Sequence, residues 1–131
     1  MSEINNGKID SFFNSENANW AEIRLHGKFP ERKGYHSSVI YNKKLYIFGG
    51  HDIREGEQDS LWCLDLTKQP INANSKDTAF QDPSLQSDKK AEWIQLPTSG
   101  KEKPGKLSHH SAVIYNDKMY IFGGNASLVS Q

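Results

Sequence analysis

Residues 35 to 50 read YHSSVIYNKKLYIFGG, and residues 109 to 124 repeat them as HHSAVIYNDKMYIFGG. The copies differ at Tyr35/His109, Ser38/Ala112, Lys43/Asp117 and Leu45/Met119, all at one offset of 74. In a chain of 131 residues, self-similarity of that kind marks a repeat protein. Each copy reads as a hairpin: an apolar-rich strand, a two-residue turn opening on Asn, a second strand, then a Gly pair. A single hairpin cannot bury its apolar face alone, so it must stack on copies of itself or on close relatives.

The repeat extends upstream. Trp20-Ala21-Glu22-Ile23-Arg24-Leu25 matches Trp93-Ile94-Gln95-Leu96, and Pro30, Arg32 and His36 match Pro104, Lys106 and His110. Ser60-Leu61-Trp62-Cys63-Leu64-Asp65-Leu66 supplies one more strand before Trp93, which makes four strands per unit. The excess length of the period lies at residues 68 to 91, a polar stretch with two prolines and no strand or helix periodicity. Such a segment cannot bury enough apolar surface to offset the entropy of ordering it, and it reads as a surface insertion between the third and fourth strands. Without its 24 residues the period is about 50.

The ordered set Pro30-x-Arg32-x-x-Tyr35-His36-Ser37, VIYNKKLYIFGG, LWCLDL and a Trp strand resembles the kelch repeat of β-propeller proteins, whose period is about 50. The resemblance covers roughly residues 20 to 66 and 92 to 124. It implies an all-β fold of four-stranded antiparallel blades, with Trp20, His36, Gly49, Gly50, Trp62, Trp93, His110, Gly123 and Gly124 at the structural repeat positions. The expected organisation is a flexible polar N-terminus at 1–19, the fourth strand of a preceding blade at 20–25, and a complete blade at 36–96 carrying the insertion. The first two strands of the next blade follow at 109–124. That amounts to about one and a half to two blades, whereas propellers close with 4 to 8. The chain is therefore expected to be a piece of a longer propeller, or to assemble with copies around a ring.

Within each hairpin the residues alternate. Val39, Tyr41, Leu45 and Ile47 are assigned to one face, and Ile40, Tyr46 and Phe48 to the other, as in a strand pair buried on both sides. Asn42-Lys43 and Asn116-Asp117 place Asn where a two-residue turn needs positive φ.

Sixteen basic and sixteen acidic residues give no net charge, which argues against a nucleic-acid surface or a polybasic membrane anchor. No apolar run reaches the length of a signal core or a membrane span. The single cysteine, Cys63, rules out an intrachain disulfide framework and fits a reducing compartment, so the cytoplasm is the expected location, with the nucleus as a second setting.

His36 and His110 recur at each repeat, which points to a structural hydrogen bond inside each blade rather than a site. His109-His110 cannot both reach one metal, because neighbours on a strand face opposite ways. Cys63 has no base or cation beside it in sequence and reads as a small buried hydrophobe. No catalytic triad order, paired-carboxylate motif, phosphate-binding glycine loop or zinc spacing is present, so neither an enzyme nor a cofactor is expected. The alternative is a fragment of a kelch-propeller enzyme with its catalytic or metal residues on other blades.

What remains is recognition by loops, where rigid scaffolds place function. The fourth-to-first loops (26–35, 97–108) and second-to-third loops (51–59, 125 onward) share one end of the blades. The candidate partner-binding residues there are Lys33, Tyr35, His51, Asp52, Arg54, Glu55, Lys101, Lys103 and His109. Arg32, matched by Lys106, reads as structural. Mixed charge with an aromatic suits a polar protein partner, and the module is expected to act as an adaptor or scaffold. Self-association, or the remainder of a propeller, is the other expected partner. The insertion offers Ser75, Thr78, Ser84 and Ser87 as exposed hydroxyls.

Overall fold

In a computed structural model of the chain, residues 23–68 and 90–126 are described; no helix occurs among them. The strands are β1 (Ser37–Tyr41), β2 (Lys44–Phe48), β3 (His51–Asp52), β4 (Gly56–Glu57), β5 (Leu61–Asp65), β6 (Trp93–Leu96), β7 (Leu107–Tyr115) and β8 (Lys118–Ala126). One four-stranded antiparallel sheet runs β1-β2-β5-β6; β3-β4 and β7-β8 are two-stranded ribbons. The fold is all-β and its sheets do not close, as in part of a kelch propeller. Trp20, residues 1–19 and most of the 68–91 insertion lie outside the described residues. Of the expected strand at 20–25, only 23–25 are described. They belong to no named strand, and the neighbouring His26 makes a parallel bridge to Glu92.

The local chemistry dictates the hairpins. Asn42 and Lys43 have φ of 46° and 59°, and Asn116 and Asp117 have 46° and 60°. Two consecutive left-handed residues make the tight turn whose twist matches the flanking strands. That turn sets the register Tyr41↔Lys44, Ile40↔Leu45, Val39↔Tyr46 and Ser37↔Phe48.

The register corrects the expected faces. Cross-strand partners point the same way, so Ser37, Val39 and Tyr41 share a face with Tyr46 and Phe48, while Ile40 lies with Leu45 and Ile47. A two-residue turn pairs odd-numbered positions with even ones, and alternation counted straight through it inverts the second strand.

The core sits on β2 and β5, where Ile47, Phe48, Trp62, Cys63 and Leu64 are buried. Cys63 is a free thiol enclosed in this core. The second hairpin packs against β1. Phe48 is 3% exposed and meets the His110 ring edge-on, at 5.5 Å between centroids. Burying a Phe side chain is worth about 1.5–3 kcal/mol.

Candidate functional site

The loops at one end of the blades are tied together by backbone hydrogen bonds. Gly34 and His51 exchange both bonds, N–H to O, at 3.0 and 2.8 Å. Gly50 N–H donates to Leu107 O at 2.8 Å, Leu107 N–H to Gln58 O at 3.1 Å, and His109 N–H to Tyr35 O at 2.9 Å. The loop before β1, the β3–β4 ribbon and the start of β7 thus form one cluster.

Tyr35 and His109 are repeat equivalents and stand side by side here. Both have left-handed backbones, with φ of 55° and 58°. Bulky residues rarely adopt that conformation, and it persists where the surrounding bonds over-determine it. The bend turns both side chains outward. Their rings stack with centroids 3.9 Å apart and planes 19° from parallel. The Ser108 hydroxyl lies 3.0 Å from His109 Nδ1 and helps fix the imidazole. Tyr35 stays largely exposed, so the pair offers a flat aromatic surface.

On the β3–β4 ribbon, the Asp52 carboxylate accepts from the backbone N–H groups of Arg54 and Glu55 at 2.8 and 3.0 Å. Those bonds hold its carboxyl below the usual range. Asp52 therefore shapes the ribbon's turn, which lifts Ile53 to 96% exposure between the acid and exposed Arg54. His51 is half-buried, with Nδ1 3.3 Å from Glu57 Oε1.

Lys33 turns inward. Its side chain is 2% exposed, and its ammonium donates to Ser60 Oγ at 2.9 Å and reaches Glu31 Oε2 at 3.5 Å. Burial pushes the Lys33 amine below its ordinary range, and the Glu31 charge opposes that. The same Glu31 oxygen accepts from Ser60 Oγ at 3.1 Å and Trp62 Nε1 at 3.2 Å. Burial would raise the Glu31 carboxyl, but its hydrogen bonds and Lys33 outweigh that and lower it.

Tyr35, His51, Asp52, Arg54, Glu55 and His109 thus meet at one end, whereas Lys33 serves the fold. Lys101 and Lys103 lie exposed further along the loop that leads to β7, as do Arg32 and Lys106 on theirs. Ile53 and Glu31 were missed. The signal for Ile53 is a lone aliphatic residue in the polar run His51-Asp52-Ile53-Arg54-Glu55; nothing local marks Glu31. Chemically, the cluster displays rings, an aliphatic tip and mixed charge. Among the described residues no group of three or more His, Cys, Asp or Glu side chains is placed to hold a metal ion.

Of the two repeat histidines, His110 bonds to the neighbouring blade rather than within its own. His110 Nε2 lies 2.8 Å from the Ser37 hydroxyl, 73 positions earlier in the chain. The equivalent His36 is exposed.

A sequence profile of the KLHDC2/KLHL20/DRC7 Kelch-repeats domain matches residues 11–130. Leucine-zipper-like transcriptional regulator 1 of Homo sapiens is 25% identical over 107 residues, 82% of this chain and 10% of that protein. Beta-scruin of Limulus polyphemus is 28% identical over 109 residues, 83% of this chain and 9% of that protein. Kelch domain-containing protein 3 of Bos taurus is 27% identical over 107 residues, 82% and 22% of the respective lengths. The chain spans about a tenth of the length of the first two relatives.

Proposed function

The chain belongs to the kelch-repeat family, and from that premise we propose that it is a non-catalytic protein-interaction module, an adaptor or scaffold, that binds a protein partner through its loop cluster. The observation carrying this reading is the Tyr35–His109 stack, held outward by two left-handed residues in a loop cluster that also exposes Ile53. Rigid rings with few rotatable bonds lose little entropy on binding, and a fixed backbone lowers the cost of association further. Arg54 and Glu55 rim the tip with both signs of charge, which suits a polar peptide or protein surface. Matched relatives include a protein named as a transcriptional regulator and one named for its kelch domain, which agrees with an interaction role. A cytoplasmic or nuclear setting is part of the proposal and rests on the single buried thiol.

The test is cross-linking capture from a native lysate with the wild-type chain, a Tyr35→Ala/Ile53→Asp double variant, and a Lys118→Ala control on the far hairpin. The expected result is at least one protein captured by wild type and control and lost, about tenfold or more, with the loop variant at unchanged thermal stability. Capture that ignores the loop variant would sink the reading.

A further inference from the structure

The Tyr35–His109 stack and the Ser37–His110 bond share two short stretches of chain, Tyr35-His36-Ser37 and Ser108-His109-His110. The His109 N–H donates to Tyr35 O at 2.9 Å and ties the two stretches together. Tyr35 and His109 are exposed, whereas Ser37 and His110 are buried in the junction between the hairpins. One peptide link therefore separates the imidazole that faces solvent from the imidazole that closes the junction.

The buried imidazole has no place for a second proton. His110 Nε2 lies 2.8 Å from the Ser37 hydroxyl. Nδ1 is sealed from solvent and has no hydrogen-bond partner among the described residues. A neutral ring fits this setting, with Nε2 engaged by Ser37 and a bare lone pair on Nδ1. An imidazolium carries an N–H on both nitrogens, and the one on Nδ1 would be a buried donor without an acceptor.

The surrounding elements offer no compensation. β1 brings the Ser37 hydroxyl, and β2 brings the Phe48 ring at 5.5 Å. Backbone packs directly on the residue at Gly49 and Gly124, where a Cβ would stand 2.8 Å from His110 Cε1 and 2.9 Å from His110 Cβ. Among the described residues, the titratable group that bears on the ring is His36, from the loop before β1. Its charge opposes a second positive charge nearby. Burial and His36 lower the His110 pKa, and together they outweigh the Phe48 carbonyl, which favours the proton.

We propose that His110 is a proton switch for the loop cluster: its protonation unseats the ring from Ser37, and the stacked rings of Tyr35 and His109 part. The charged ring gains a partner for Nδ1 only by leaving its pocket for water, which takes Nε2 away from Ser37. The left-handed backbones of Tyr35 and His109 persist only while surrounding bonds over-determine them, and the Ser37–His110 bond is one that both stretches share. The sign follows from the proton count. The released ring binds a proton more readily than the seated one, so acid favours release, below about pH 6.5 and toward the lowered folded value. Binding through the loop rings then belongs to neutral conditions. The switch deepens the loop-binding reading by naming what regulates that site.

NMR of the 131-residue chain with labelled tyrosine, histidine and leucine, taken from pH 7 to pH 5 without any partner, tests this. His109→Phe is the background, because it keeps a ring on Tyr35 and removes the titration within the stack. In it, the Tyr35 ring protons are expected to lose their ring-current displacement along the curve that His110 Cε1–H follows. The Leu64 methyls of the β2–β5 core are expected to stay in place. Adding His110→Gln, which keeps a neutral N–H for Ser37, is expected to abolish the response. Should that double variant not fold, the agreement of the Tyr35 and His110 midpoints still decides. A Tyr35 signal that ignores pH, follows His36 or His51 instead, survives His110→Gln, or vanishes together with the Leu64 signals overturns the proposal. Capture through the loops is read separately at neutral pH, so either idea can fail alone.

Discussion

Gly49 and Gly123 hold the same repeat position and nearly the same φ, but the space around them differs, and that difference can be measured. Alanine at Gly123 meets only the left-handed backbone, a cost of about 1–2 kcal/mol. Alanine at Gly49 meets the same backbone and in addition the Leu107 carbonyl and the His110 ring. Its expected cost is about 2–5 kcal/mol, the strain plus 1–3 kcal/mol for overpacking. Urea midpoints for the two variants, taken at concentrations that hold the monomer, check this; equal losses would mean the hairpins do not pack as described. At this scale the sequence was partly legible. Asn42 and Asn116 announced their turns through intrinsic preference for positive φ. Tyr35 and His109 were singled out as surface residues, but nothing in their letters showed that they would stack. Lys33 looked like its neighbours because charge does not state direction.

At the scale of elements, the loop before β1 is secured to β5 by Glu31, whose one carboxylate oxygen serves Lys33, Ser60 and Trp62. Glu31→Ala leaves the Trp62 indole N–H without its acceptor and the Lys33 ammonium with the Ser60 hydroxyl but no counter-charge. The expected loss is about 1–3 kcal/mol, the cost of stranding a buried donor, with half or less of it from Glu31→Gln. Thermal melts of the two variants decide; an unchanged midpoint for Glu31→Ala would show that the cluster is ornamental. The two hairpins were readable, because alternation and turn residues are local signals, whereas the short β3–β4 ribbon lies in what reads as a loop. The facing of β2 was misread because alternation was carried through an even-length turn. The loop's attachment was unreadable, since Glu31 and Trp62 lie 31 positions apart.

For the whole molecule, the junction between hairpins is the feature that sets pH behaviour. Burial depresses the His110 pKa, so the folded protein favours neutral imidazole. The unfolded chain binds that proton more readily, and the stability tied to the neutral ring is therefore present above about pH 6.5 and lost as pH falls below it toward the lowered folded value. Melting midpoints are expected to drop from pH 7 to pH 5, and His110→Gln is expected to flatten that slope even if it lowers the midpoint throughout. An unchanged slope would remove His110 from the account. From the sequence alone came the repeat, its antiparallel strand pairs, the turn residues and the loops that share one end, because each follows from periodicity and short-range backbone preference. Only the tertiary structure decided that His110 joins blades, that Lys33 turns inward, and that Tyr35 meets His109. The physical reason is distance along the chain: the bonds that settle these points, from Lys33–Ser60 to Tyr41–Asp117, span 27 to 76 positions.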